Sequence, residues 1–319
     1  MSQEFPIVAI TGSSGSGSSS MTKAFEHIFF RERVKAAYIQ GSAFHRYGRD
    51  EMKKHVREAK KEGKILSHYS PEANYLNKLE SLFFQYAATG TGMYRYYLHT
   101  DKIAAEWGQK AGTLTPWSEM DPDTDLLLYR GLHGAAIDGD IDIASYPDLL
   151  VGMVPNVNLE WIRKIKRDTT MRGYSRKKVR KIILQRMADY AMHIAPQFTR
   201  THINMQMIAT VDTSDPFSVR DEPTEDETML VIHFQNIQQP DLPELLRELP
   251  GSFMSRHNTL VVPGGQMMYA IELVLMPLIH DLIATSRKIR NITDVPADRG
   301  AGLLGALGQS YLKFKYHTG

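Results

Sequence analysis

An apolar run at residues 5–11 gives way to Gly12-Ser13-Ser14-Gly15-Ser16-Gly17-Ser18-Ser19-Ser20 and then to a helix over about 19–31. A second short strand, Ala36-Ala37-Tyr38-Ile39, ends at Gln40-Gly41-Ser42. Together these make a βαβ unit. A charged stretch from His45 to Lys64 predicts helix and loop, and Leu76, Leu79, Leu82 and Phe83 share one face of a helix over about 72–88. The turn Gly90-Thr91-Gly92 leads into an aromatic strand, Tyr94 to His99. Leu126 to Tyr129 and Leu149 to Val154 are continuous apolar runs, the pattern of parallel strands buried on both faces.

The segment from Leu159 to Met192 predicts helix with a turn at Arg172-Gly173-Tyr174. Met229 to Phe234 and Thr259 to Val262 read as late strands, and a helix from about Gln266 to Ile289 is open to a kink at Pro277. Met268, Ile271, Leu275, Leu278 and Leu282 recur along it at helical spacing, as core or a subunit interface would. Glycines dilute residues 291–319, so the chain divides into a domain over 1–290 and a tail that is flexible or docks on a neighbouring subunit.

Composition narrows the chemistry. With 319 residues, 42% apolar and 23% charged, the chain can bury a sizeable core. It has no cysteine, which excludes disulfides, thiolate metal sites and a cysteine nucleophile, and makes the cytoplasm the natural compartment. No leader pattern stands at residues 1–6, and no uninterrupted apolar run approaches the ~20 residues of a membrane span. A net charge of +2 does not by itself imply nucleic acid.

The glycine-rich turn carries the chemistry. Successive backbone N–H groups there form an anion cradle, and the following helix adds its positive end. Gly12, Ser13, Ser14, Gly15, Ser16, Gly17, Ser18 and Ser19 are the predicted nucleotide-binding residues. Ser18 stands where the common motif has lysine, and Ser19 is the hydroxyl on the magnesium side if magnesium binds.

Several further words, Ala43-Phe44-His45-Arg46, Pro71-Glu72-Ala73-Asn74, Gly131-Leu132-His133-Gly134, Val157-Asn158-Leu159-Glu160-Trp161-Ile162, Pro196-Gln197-Phe198 and Val211-Asp212-Thr213-Ser214, occur in order along the chain. With the turn at 11–15 they resemble the bacterial phosphoribulokinase family over about residues 5–285. The resemblance implies an α/β P-loop NTPase fold related to nucleoside monophosphate kinases, a mixed sheet flanked by helices, usually in a homo-oligomer. It implies ATP and magnesium as cofactors, with ribulose 5-phosphate as acceptor. By the same resemblance His45, Arg49, Lys53 and Tyr97 face the sugar phosphate, and Lys164, Arg167, Asp168 and Arg172 close over the phosphates.

Two positions depart from the family pattern. Its Gly-Asp-Ala/Ser-Phe-His-Arg places the catalytic base at the aspartate, and this chain has Ser42 there. Its Tyr-Glu-Gly-Leu-His-Gly supplies a carboxylate near magnesium, and this chain has Arg130. The pocket thus loses two negative charges and gains a positive one, which favours an anionic ligand, disfavours magnesium and places Arg130 on a phosphate. The expectation is a protein that binds nucleotide or sugar phosphate with impaired catalysis, in a regulatory or assembly role. The alternative is an active kinase with base and metal ligand drawn from elsewhere.

Arg31, Arg186 and Arg256 fit the arginines through which relatives respond to NADH and AMP, but His233 and Gln235 stand where arginine is common, against an effector response. His133, beside a glycine turn, reads as structural. Eleven lysines or arginines against one aspartate between Arg163 and Arg186 raise nucleic-acid binding as a third reading. A phosphate lid and a solvated helix account for the same cations without it.

Overall fold

Side chains alternate across a strand, so an apolar run flanked by helices on both faces must feed two cores. Val8, Ile10, Leu126 and Leu128 enter one core, and Ile7, Ala9, Leu127 and Tyr129 the other. The computed structural model describes residues 4–13, 18–170, 173–218, 221–235 and 240–300. Its first half runs β1 Ile7–Gly12, α1 Ser18–Arg31, β2 Ala36–Gln40, α2 Arg49–Lys61, α3 Leu76–Thr89, β3 Met93–Tyr94 and α4 Asp101–Glu106. There follow β4 Ser118–Glu119, β5 Leu126–Gly131, β6 Ile137–Asp138, β7 Ile141–Asp142, β8 Leu149–Val154, α5 Val157–Thr170 and α6 Arg176–Asp189. The last elements are β9 Ile203–Ala209, β10 Thr228–Phe234, α7 Leu242–Glu248, β11 Phe253–Arg256, β12 Thr259–Pro263 and α8 Met267–Ile289.

Eight strands form one sheet in the order β11-β12-β10-β9-β8-β1-β5-β2. The β9-β8-β1-β5-β2 side is parallel, and β9, β10, β12 and β11 pair antiparallel. This is the mixed α/β sheet of a P-loop NTPase, and the carboxyl ends of its parallel strands, where such folds bind ligands, carry the site described below. α1 and α8 cover one face, through Phe25, Ile28, Ile271 and Leu275. α3 covers the other, through Leu79, Leu82, Phe83 and Tyr86.

The aromatic segment departs from its expected strand. Only Met93–Tyr94 pairs as a strand, and Tyr97 makes an isolated bridge to Leu114. Side chains hold the rest: the Arg95 guanidinium lies 4.5 Å over the Trp117 ring and donates to the Ala43 carbonyl. α3 starts at Leu76 rather than 72 because Pro71–Ala73 forms a 3-10 turn and Asn74 is extended. Pro277 lies inside α8.

α8 is also long and apolar enough, with a mean hydropathy of 1.6 over an 18-residue stretch within Gly264–Ile289, to cross a membrane by length and composition. Scanning for uninterrupted apolar runs missed this, because Glu272, His280 and Asp281 break the sequence. In the fold, Ala270, Ile271, Val274, Leu275 and Ile279 bury the inner face of α8 in the core.

Within residues 291–300, one side chain is anchored on the domain. Arg299 makes two contacts with buried Asp125, Nε at 2.7 Å and Nη2 at 3.0 Å, and reaches Asp123 as well. Residues 301–319, the rest of the expected tail, lie outside the described residues.

Candidate functional site

The carboxyl end of β1 meets β8 so closely that Gly12, with φ at +151°, has no room for a side chain: a Cβ would lie 2.5 Å from the Met153 carbonyl oxygen. Ser13 follows, buried, and α1 begins at Ser18. Of the predicted nucleotide-binding residues, Ser14, Gly15, Ser16 and Gly17 lie outside the described residues, as do the side chains of Ser18 and Ser19. Gln197, buried and absent from the sequence-based site, ties this corner together. Its Oε1 accepts from Thr11 Oγ1 and the Ala135 amide, each at 3.1 Å, and its Nε2 donates to the Leu132 carbonyl at 2.8 Å.

Ser42 and Arg130, far apart in sequence, stand at the carboxyl ends of neighbouring strands. Gln40 of β2 is paired with Arg130 of β5, and Gly41 and Gly131 pack so tightly that a Cβ on Gly41 would lie 2.7 Å from the Gly131 Cα. Ser42 Oγ is 3.4 Å from His99 Nε2, and Arg130 Nη1 donates to Thr22 Oγ1 of α1 at 3.1 Å. Asp123 and Asp125, the acids nearest Arg130 along the chain, precede β5 at its opposite end, where they are engaged with Lys35 and Arg299.

The substrate-facing residues gather around Ser42 with one exception. Asn74 Nδ2 donates to the His68 and Ser70 carbonyls, so its Oδ1 must accept from His45 Nδ1 at 2.8 Å. In the neutral ring this fixes the Nδ1–H tautomer, with Nε2 as the acceptor nitrogen. His45 also stacks on His68 at 4.3 Å and meets the edge of Tyr97. Arg49 donates to the His99 carbonyl at 2.7 Å and interacts with the Tyr97 hydroxyl. Lys53 instead pairs with Asp50 at 2.8 Å on the exposed side of α2, as a solvated helix face would.

Burial lowers the pKa of His45 to about 4 and of His133, whose Nε2 meets the Tyr69 carbonyl at 3.1 Å, to about 4. Each ordinarily titrates at 6.5, so between the two values the unfolded chain binds more protons than the folded one. Their contribution to stability is complete above about pH 6.5 and is lost as pH falls toward about 4. Urea melts are therefore expected to show a lower midpoint at about pH 5 than at about pH 7, with the gap narrowed in His133→Asn. Equal midpoints at the two pH values would contradict this.

On α5, residues spaced three and four apart share a face. Lys164 Nζ and Arg167 Nε hold the buried Asp168 carboxylate at 3.0 and 3.1 Å. Burial lowers the Lys164 pKa against the pull of that carboxylate. Arg172 lies outside the described residues. Sequence reasoning placed Glu160 in a family word but gave it no role. It interacts with the Ser13 hydroxyl and with Lys164 and Arg167, and burial raises its pKa. Its spacing from Lys164 and Asp168 was the available signal. Glu160, Lys164 and Arg186 line a shallow, half-open pocket with Tyr69, Trp161 and Tyr190.

The three candidate effector arginines are dispersed: Arg31 is exposed at the end of α1, Arg186 faces this pocket, and Arg256 is exposed on edge strand β11. His233 and Gln235 are used structurally, accepting from Asn258 and Asn204 respectively. Several cations of the basic segment are already engaged: Arg163 with Glu222 at 2.6 Å, Arg176 with the Phe217 carbonyl, Arg180 over the Phe217 ring.

Magnesium at a nucleotide site takes one or two protein ligands and completes its shell with phosphate oxygens and water. Among the described residues no group of three histidine or acidic side chains could hold a divalent cation, and a guanidinium occupies the β5 position.

Residues 7–214 match the model of the Phosphoribulokinase / Uridine kinase family. A chromosomal phosphoribulokinase of Cupriavidus necator is 51% identical over 280 residues, 88% of this chain and 96% of its own. A probable phosphoribulokinase of Escherichia coli is 47% identical over 283 residues, 89% of this chain and 98% of its own. The solved phosphoribulokinase from Rhodobacter spheroides superposes with a TM-score of 0.82 at 43% identity, covering 90% of this chain and all of the other. The same α/β fold, a family match across most of the chain and close identity to full-length relatives establish that this chain belongs to the phosphoribulokinase family.

Proposed function

We propose that this chain binds ATP and a sugar phosphate of the ribulose 5-phosphate class and transfers the phosphoryl group far more slowly than its relatives. The sugar-phosphate half rests on His45, Arg49 and Tyr97 standing beside Ser42, and the nucleotide half on the β1 turn and the Lys164, Arg167 and Asp168 cluster. One observation carries the slow rate: Ser42 and Arg130 stand at the carboxyl ends of the paired strands β2 and β5. Serine cannot take the acceptor hydroxyl's proton near neutral pH, and arginine cannot ligate magnesium. A general base contributes ~10²–10⁴-fold, and metal stabilisation several kcal/mol more. The resulting role is binding, regulation or assembly. The same proposal includes a homo-oligomer, which would cover Phe30 and Tyr269, exposed on the packed pair α1 and α8.

A second reading, an active kinase of the usual rate, draws support from the identity to proteins named phosphoribulokinase and from His99. A neutral His99 Nε2, 3.4 Å from Ser42 Oγ, is positioned to receive a proton relayed through the serine. ADP release with and without ribulose 5-phosphate tests the two. The first expects little stimulation by the sugar phosphate; the second expects strong stimulation that His99→Gln abolishes.

A further inference from the structure

We infer that Arg46, Lys78 and Arg95 form a separate anion site, built for the phosphate group of a free phosphate ion or a small phosphate monoester. None of the three side chains belongs to the nucleotide or sugar-phosphate contacts described above, so the two readings stand or fall separately. The cations gather on one ring: from the centre of Tyr75 the Arg46 guanidinium is 4.5 Å away, the Lys78 ammonium 5.4 Å and the Arg95 guanidinium 5.6 Å. Trp117 has Lys78 at 4.6 Å and Arg95 at 4.5 Å over its own ring. Measured to shared rings, no two of the cations are more than about 11 Å apart, and Lys78 and Arg95 no more than about 9 Å.

Charges that close repel over a range comparable with the ~8 Å screening length of physiological salt. A ring face attracts a cation through its quadrupole but brings no net charge against that repulsion. Among the described residues no carboxylate pairs with any of the three, although Glu72 and Glu119 lie close along the chain to Tyr75 and Trp117. Burial lowers the Arg95 pKa with no carboxylate to offset it. Lys78 stands in the first turn of α3, which has no acidic residue, so the positive end of that helix adds to the same potential.

The donors point to the ligand. Arg46 spends Nε on the Asn74 carbonyl, and Arg95 spends Nε and Nη2 on the Ala43 and His45 carbonyls. The other guanidinium N–H groups and Lys78 Nζ have no protein acceptor among the described residues. Both rings already carry the protein's own cations, so they offer a ligand nothing to stack on. What fits is a compact oxyanion, and phosphate brings more charge and more acceptor oxygens than a carboxylate. Arg46 and Lys78 are exposed, which leaves the site open, while half-buried Arg95 roots it in the segment that carries Ser42 and His45.

Trp117 reports on this site. In a chain carrying Trp107→Phe and Trp161→Phe, its emission would be titrated with inorganic phosphate and with glycerol 3-phosphate, with sodium chloride at matched ionic strength as reference. A saturable change is expected with phosphate and not with chloride, and the tighter binder of the two identifies the occupant. Lys78→Gln, which removes an exposed ammonium with no hydrogen bond of its own, is expected to weaken binding by about tenfold, the usual worth of a hydrogen bond to a charged group. Lys78→Glu is expected to abolish the change. Calorimetric titration of the otherwise unaltered chain with and without Lys78→Gln gives the same comparison should the tryptophan variant fail to fold, and thermal melts verify folding. No response, a response matched by chloride, or one that a folded Lys78→Gln leaves unchanged overturns the inference. The proposed function would stand in each case, since the signal would then be absent, screening, or phosphate held in the cleft.

Discussion

Ser42→Asp combined with Arg130→Glu is expected to raise the rate of ribulose 5-phosphate-dependent ADP release by about 10²–10⁴-fold over the unaltered chain. Ser42 and Arg130 stand at the carboxyl ends of paired strands, linked through Gln40, Gly41 and Gly131, so both carboxylates would be added at the same end of the sheet. Phosphoryl transfer depends on positioning and on neutralising charge, and the rest of the cleft is in place to position. Neither single variant is expected to recover most of the gain. Aspartate at 42 alone still faces a cation where the metal is needed, and glutamate at 130 alone supplies a metal position without a base. Residues that act as a unit are non-additive, so the double-mutant cycle should show strong positive coupling. A folded double variant as slow as the starting protein would mean that something other than these two positions limits the rate.

The second large effect is on stability and comes from the other end of the sheet. Asp125 is 2% exposed and accepts from the Lys35 amide at 2.8 Å and from Arg299 at 2.7 and 3.0 Å, with Arg290 4.0 Å away. Asp125→Ala takes the carboxylate from Arg290 and leaves Arg299 only the exposed Asp123, with both guanidiniums largely buried. Breaking a buried charge cluster from one side costs about 3–5 kcal/mol. Urea melts at neutral pH should show a loss in that range, with nucleotide binding intact in the remaining folded protein because the cluster lies at the end of β5 away from Arg130. A loss below about 1 kcal/mol would show that solvent replaces the carboxylate.

How much of this was legible in the sequence follows from how local each signal is. β1, β5 and β8 are buried on both faces, so their apolar runs stand out and were placed within a residue or two. β9 was missed: Ile203, Met205 and Met207 alternate with Asn204 and Gln206, and a seven-residue strand of that kind is faint beside long helices. β11, four residues on the sheet edge and largely exposed, carries almost no apolar pattern. The identity of the site came from short words and the resemblance they carry. Its wiring did not. Asn74 fixing the His45 tautomer, His99 beside Ser42 and Gln197 bracing the β1 corner are contacts between residues 29, 57 and 186 positions apart, which no spacing along the chain encodes. Arg299 reaches 174 residues back to Asp125, which is why composition alone made residues 291–300 part of a loose tail.

The most direct test of a cleft that grips phosphates but has lost its acids is product formation by the unaltered chain. ATP, magnesium and ribulose 5-phosphate would be supplied to it and to the Cupriavidus necator relative under identical conditions, with ribulose bisphosphate measured rather than ADP alone. The account predicts product at a rate at least about 10³-fold below that of the relative, from loss of the base and the metal carboxylate together. A rate within about tenfold of the relative would contradict it, and would turn attention to Ser42 and His99 as a working base.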